Sequence, residues 1–156
     1  QNDAVRIGDN GGDGGDGGDG SDNTVNNVNS KATSSGNSGQ VSFVLNNTGG
    51  AAVVATGITV NSTSTNATEV SNGDILTLTA DGTQIVDQTI TIGNMRYGFT
   101  PNVTISSNSE VTFKFNKFRD PDVQMGSPNV GMSGEDITIT VYFGDGTKGT
   151  FTISPT

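Results

Sequence analysis

Ile137-Thr138-Ile139-Thr140-Val141-Tyr142-Phe143, followed by Gly144-Asp145-Gly146 and then by Phe151 and Ile153, is the stretch that decides the fold. Its large apolar residues recur at every second position, with threonine or tyrosine between them. Successive side chains of a strand point to opposite faces, so this spacing describes a β-strand with one buried face. Gly144-Asp145-Gly146 supplies residues that tolerate positive φ, which a tight hairpin needs, and Phe151 and Ile153 continue the apolar face on the return strand.

The same period of two runs back through the chain. Val111-Thr112-Phe113-Lys114-Phe115 alternates cleanly, and Val41-Ser42-Phe43-Val44-Leu45 ends at the turn cluster Asn46-Asn47-Thr48-Gly49-Gly50. Residues 53–60 form a further strand, interrupted at Gly57. Ile75-Leu76-Thr77-Leu78 follows the Asn72-Gly73-Asp74 turn, Asp81-Gly82 turns the chain into residues 85–92, and residues 103–105 add a short strand. Only residues 119–135, with Pro121, Pro128 and several glycines, are long and irregular. No window carries a helical period. About eight short strands separated by turn signals, with no helices between them, predict an all-β antiparallel sandwich, with a closed barrel as the alternative. The expected core is Phe43, Leu45, Ile58, Leu76, Leu78, Ile90, Phe113, Phe115, Ile139, Val141, Phe143 and Phe151.

Upstream of residue 40 the composition changes. Residues 9–22 read D-N-G-G-D-G-G-D-G-G-D-G-S-D, a three-residue repeat, and residues 23–39 are rich in Asn, Ser, Thr and Gly with only Val25, Val28 and Ala32 as apolar points. Glycine at this density has a high ordering cost and offers no side chain to pack. The expected organisation is therefore an irregular Gly/Asp/Asn-rich N-terminal extension over residues 1–39, reading as flexible linker, and a β domain over residues 40–156.

Missing residue types narrow the chemistry. The 156 residues include no Cys, no His and no Trp. Disulfides and thiolate sites are thus excluded, and so are histidine-based acid–base catalysis and histidine metal ligation. Carboxylates around the long loop, in Arg119-Asp120-Pro121-Asp122 and Gly134-Glu135-Asp136, would be needed for any glycosidase chemistry, and a solvated loop with a local ion pair is the simpler reading. The expectation is a protein that is not an enzyme.

The net charge is -9, from 16 acids and 7 bases. Six aspartates against Arg6 place more than half of that excess in the first 22 residues. Such a surface repels nucleic acid and anionic lipid and suits divalent cations or high salt. Aspartate outnumbers glutamate 13 to 3 and lysine occurs four times, a bias that suits a halophilic habitat and that the Gly-Asp repeat also produces. No stretch reaches the roughly 18 apolar residues that a membrane span requires. The chain opens at Gln1 with no signal-like segment, as expected of a mature or trimmed chain, or of one separated from its anchor.

Four kinds of site follow. Asp9, Asp13, Asp16, Asp19 and Asp22, with the glycine-freed carbonyls between them, match the oxygen preference of calcium; a solubilising spacer is the alternative. The repeat resembles the calcium turns of β-roll toxins, though its period of three and its lack of an apolar anchor depart from them. Four N-glycosylation triplets begin at Asn46, Asn61, Asn66 and Asn102. Ala4, Val5 and Ile7, or Val25 and Val28, are the apolar points of a strand that would contact another subunit. Met95, Tyr97, Phe99, Met125 and Met132 form either a contact surface or a lid over one end of the domain.

Residues Val41-Ser42-Phe43-Val44-Leu45-Asn46-Asn47-Thr48-Gly49 with Thr56-Gly57-Ile58-Thr59-Val60, and the closing hairpin from Ile137 to Asp145-Gly146-Thr147, resemble the immunoglobulin-like surface domains common in archaea. Similar modules form the heads of haloarchaeal pilin-like surface proteins. The resemblance covers residues 40–156 and implies an immunoglobulin-like sandwich working in an extracellular filament or cell-surface layer. Type IV pilin-like proteins carry an apolar N-terminal helix that this chain lacks. It more closely resembles filament subunits in which an N-terminal strand completes a neighbour's sheet, which implies other copies of itself as partners. An adhesive or carbohydrate-binding surface domain is the alternative, and it would need exposed aromatics in a chain that has only two tyrosines.

Overall fold

The computed structural model describes residues 24–71 and 76–156. Within them lie thirteen strands: β1 Val25–Asn27, β2 Thr33–Ser34, β3 Val41–Asn47, β4 Val53–Thr63, β5 Glu69–Ser71, β6 Leu78–Ala80, β7 Thr83–Val86, β8 Ile90–Thr91, β9 Tyr97–Ile105, β10 Ser109–Phe115, β11 Lys117–Arg119, β12 Ile137–Phe143 and β13 Lys148–Ile153. The helical content described is two 3-10 turns, Asn29–Lys31 and Gly36–Ser38. Every strand pair is antiparallel. The all-β class follows from the alternation: β10 buries Val111, Phe113 and Phe115 and turns Glu110, Thr112 and Lys114 outward.

The strands form three sheets. The largest runs β1-β3-β10-β6-β7, with β2 also on β3; a four-stranded sheet runs β13-β12-β4-β9; and β11-β5-β8 make a small third sheet. All three feed one hydrophobic cluster. The rings of Phe43 and Phe113 stack with centroids 5.0 Å apart, and Phe115 joins Phe43 at 5.4 Å and Phe118 at 5.1 Å. Phe99 on β9 reaches Phe113 on β10 at 6.4 Å, so the two larger sheets meet through aromatic side chains.

The strand count exceeds eight for local reasons. Residues 85–92 do not form one strand, because β7 joins the largest sheet and β8 the smallest. The strand expected at residues 103–105 extends back to Tyr97. β5 and β11 have three residues each, too few to display a period. Phe118 on β11 and Met132 in the long loop are fully buried, and the alternation did not mark either as core. Leu76 is expected inside but is 43% exposed: it lies before β6, which starts at Leu78 and buries all three of its residues without alternation. Phe151 is half-buried against the core rather than fully within it.

Both expected hairpins form, with different turns. Asp81 and Gly82 have φ of 48° and 84°, which gives the paired positive angles of a type I′ turn. At residues 143–148 only Gly146 is positive, at 90°. There Gly146 N–H donates to the Phe143 carbonyl, and the Asp145 carboxylate accepts from both the N–H and the hydroxyl of Thr147. Side-chain hydrogen bonding thus replaces the second positive angle expected there.

Within the segment read as linker, β1 and β2 pair with β3 and form an edge of the largest sheet. Val25 is 3% and Ala32 1% exposed. Two apolar anchors suffice because main-chain pairing to β3 supplies the remaining contact.

Candidate subunit-contact seam

β3 is paired along its whole length with β10, and its other side is shared by β1 and β2. Val25, Asn26 and Asn27 lie opposite Asn47, Asn46 and Leu45, while Thr33 and Ser34 lie opposite Ser42 and Val41. Val28 N–H donates to the Val44 carbonyl, and the turn Asn29–Lys31 lifts the chain from one pairing to the next. The result is an edge clasp made from the N-terminal segment alone.

The C-terminus fastens this clasp. Ser34 N–H donates to the Thr156 carbonyl at 3.1 Å, and Thr156 N–H donates to the Ala32 carbonyl at 3.2 Å. The Asn27 amide donates to the Thr152 carbonyl at 2.9 Å, and Asn29 Oδ1 accepts from Ser154 N–H at 2.9 Å. Lys31 Nζ lies 2.8 Å from the Glu110 carboxylate, but both side chains are about half exposed, so the pair adds little in water. Segment 24–34 is thus held chiefly by main-chain bonds and by two small apolar side chains.

Its polar fit is incomplete. The enclosed side-chain atoms without a hydrogen-bond partner among the described residues are Asn27 Oδ1, Ser34 Oγ and Asn46 Oδ1. Two belong to the clasp, and the third belongs to the β3 residue directly opposite Asn26. Each unpaired buried polar atom costs about 1–3 kcal/mol. Among the described residues, these unpartnered atoms lie on or directly beside the seam between the N-terminal segment and the body. Beside it a polar cleft of about 320 Å³ is lined by Asn46, Asn47, Thr48, Asn108, Ser109 and Glu110. Asn47 is structural there: its amide donates to the Ala51 and Ile105 carbonyls and its oxygen accepts Gly49 N–H.

The other sequence-derived residues are scattered. Val25 and Val28 sit on the clasp, Val25 in the core and Val28 half-buried. Ala4, Val5 and Ile7, and the aspartates Asp9, Asp13, Asp16, Asp19 and Asp22, lie outside the described residues. Among the described residues no three acidic groups gather at one point. Around the long loop, Glu135 accepts from the Ser64 hydroxyl, Asp136 from the Ser154 hydroxyl, and Asp120 from Asp122 N–H. Arg119 pairs across the small sheet with Glu69 at 3.5 Å rather than with the neighbouring aspartates. Met132 and Phe99 are buried while Met125 is 88% exposed, so these residues form neither one surface nor one lid. The four glycosylation asparagines separate into two half-buried, Asn46 and Asn61, and two exposed, Asn66 and Asn102.

The part of the seam invisible in the sequence is Ser34, since a two-residue strand has no period to read. The only signal was Ala32, an isolated apolar residue in a polar run. No helix among the described residues is long and apolar enough to cross a membrane. No protein-family model matches the chain, and no curated protein matches it closely enough to count as a relative.

Proposed function

We propose that this chain is a non-catalytic structural subunit of an extracellular filament or cell-surface layer, an immunoglobulin-like sandwich whose copies join by β-strand pairing. One observation carries the reading: the unpartnered buried polar atoms gather on the seam of an N-terminal edge strand. An outer strand held chiefly by main-chain bonds can form the same ladder with its own body or with a neighbour's. Three unsatisfied atoms lower the stability of the self-paired form and make exchange easier. The aspartate repeat lies directly before this strand in sequence, and in this reading it is the connector between subunits, with calcium as its candidate ligand. The haloarchaeal resemblance and the acidic composition agree with a salty, extracellular setting.

The adhesive alternative is less favoured. A sugar platform needs an open aromatic face, but Tyr97 is buried and the Arg96 guanidinium covers the Tyr142 ring at 4.1 Å.

The absence of cysteine makes the test clean. Asn26 and Asn46 face each other across the β1–β3 ladder, at a spacing a disulfide can span. Asn26→Cys and Asn46→Cys chains are prepared separately, mixed under assembly conditions and oxidised, while negative-stain electron microscopy follows the particles. Filaments or sheets with cross-linked pairs of the two variants support the proposal. Dispersed particles, with a disulfide forming only inside the doubly substituted chain, overturn it.

A further inference from the structure

Four Asn-x-Thr triplets share one chemical pattern, yet the fold treats them in two ways. Asn46 stands in the middle of a three-strand ladder, opposite Asn26 on one side and Glu110 on the other, with its side-chain oxygen enclosed. The hydroxyl of its triplet, on Thr48, donates to the Thr24 carbonyl. Asn61 accepts the Thr140 hydroxyl at 2.9 Å, and the Thr63 hydroxyl of that triplet is engaged with Thr65. In both triplets the amide group is half-buried and the hydroxyl is occupied.

The other two are presented. Asn66 lies on the bend after β4, where its neighbours fix the backbone: Ala67 is buried with its N–H on the Thr65 hydroxyl, and Thr68 N–H donates to the Arg119 carbonyl. Asn66 itself is exposed, and neither its side chain nor the Thr68 hydroxyl makes a hydrogen bond among the described residues. Asn102 is exposed in the stretch of β9 that leaves its ladder: Gly98 pairs with Gly57 and Val103 with Ala55, and residues 99–102 have no partner on β4. Thr104 is also exposed, and its hydroxyl is equally free.

We infer that Asn66 and Asn102 are N-glycan acceptors and that Asn46 and Asn61 are not. The donor class is an oligosaccharide carried on a polyprenyl pyrophosphate. In the transfer, the bond from the sugar's anomeric carbon to the pyrophosphate oxygen breaks, and a bond from that carbon to asparagine Nδ2 forms. The lipid pyrophosphate leaves with the electron pair, and the amide gives up one proton to the transferase. The step requires a reachable amide nitrogen and a free hydroxyl two residues on, a pairing that the Asn66 and Asn102 triplets alone offer. Asn102 also lies on the outer strand of the four-stranded sheet, next to Pro101, which has no N–H to offer a ladder. A glycan there covers a sheet edge that would otherwise invite pairing. This inference does not depend on the subunit reading.

The test uses the folded, unmodified protein with a soluble oligosaccharyltransferase and a polyprenyl-pyrophosphate oligosaccharide. The transferase is first shown to modify four free peptides, one spanning each triplet. Intact mass should then rise by two glycan increments on the folded chain. Asn66→Gln and Asn102→Gln should each remove one increment, and together remove both, with circular-dichroism melts confirming that the variants fold. Occupancy of Asn46 or Asn61 in the folded protein, a residual increment in the double variant, or no transfer to the folded chain would each overturn the assignment.

Discussion

Replacing Ser34 with alanine should make the protein more stable, an unusual outcome for a substitution at a partly buried strand position. The Ser34 hydroxyl oxygen is enclosed and has no hydrogen-bond partner, while its backbone N–H is satisfied by the Thr156 carbonyl. An unpaired buried polar atom costs about 1–3 kcal/mol, and alanine's weaker strand preference returns part of that, so the net gain is about 1 kcal/mol. With a urea m-value of about 2 kcal/mol/M, the midpoint rises by about 0.5 M. The chain has no tryptophan, so far-UV circular dichroism is the suitable probe. Ser38→Ala is the control of opposite sign, because its hydroxyl donates to the Ser35 carbonyl at 2.7 Å and accepts Gln40 N–H at 3.3 Å. That variant should lose about 0.5–1.5 kcal/mol. A neutral or destabilising Ser34→Ala would mean the hydroxyl is satisfied in solution, and the incomplete seam, with the subunit reading built on it, would lose its support.

Phe113→Ala should cost about 3–5 kcal/mol, read as the loss of most of the urea-unfolding free energy, because Phe113 stacks on Phe43 and bridges to Phe99. Asn47→Ala should cost about 2–4 kcal/mol in the same assay, since it deletes three hydrogen bonds and strands the Ala51 and Ile105 carbonyls. Gly39→Ala should lower the thermal midpoint through a loss of about 2 kcal/mol or more: its φ is +80°, and a Cβ there would sit 2.6 Å from the Phe118 carbonyl oxygen. Lys31→Ala should cost less than about 1 kcal/mol, and that loss should vanish in molar salt, as expected of an exposed ion pair.

The strands legible in the sequence were those long enough to show alternation against a single buried face. β12 and β10 are the clearest, and their apolar residues all enter the core. β3 was legible in spite of three consecutive buried residues, Phe43, Val44 and Leu45, because a turn cluster closes it. The failures had physical causes. Leu76 follows the pattern of Leu78 but lies before the strand begins, and residues 85–92 read as one strand although their two halves pair with different neighbours. Phe118 and Met132 are core residues set in segments whose burial depends entirely on what folds over them.

Of the candidate site, Val25 and Val28 could be named from sequence, as isolated apolar residues in a polar run. That the run pairs with β3, is fastened by residues 152–156 and leaves three polar atoms unsatisfied could not be read. The fastening depends on contacts between residues more than 100 positions apart, such as Asn27 with Thr152, and the pairing with β3 joins segments too short to show a period of their own. The glycosylation triplets show the same division, since four identical patterns become two exposed and two occupied only once strand pairing is fixed. Sequence alone determined the all-β class and the exclusion of histidine and cysteine chemistry, because period and composition are local properties. Tertiary structure decided which edge strand is loosely seated and which asparagines face solvent, because burial and hydrogen-bond satisfaction are properties of the assembled chain.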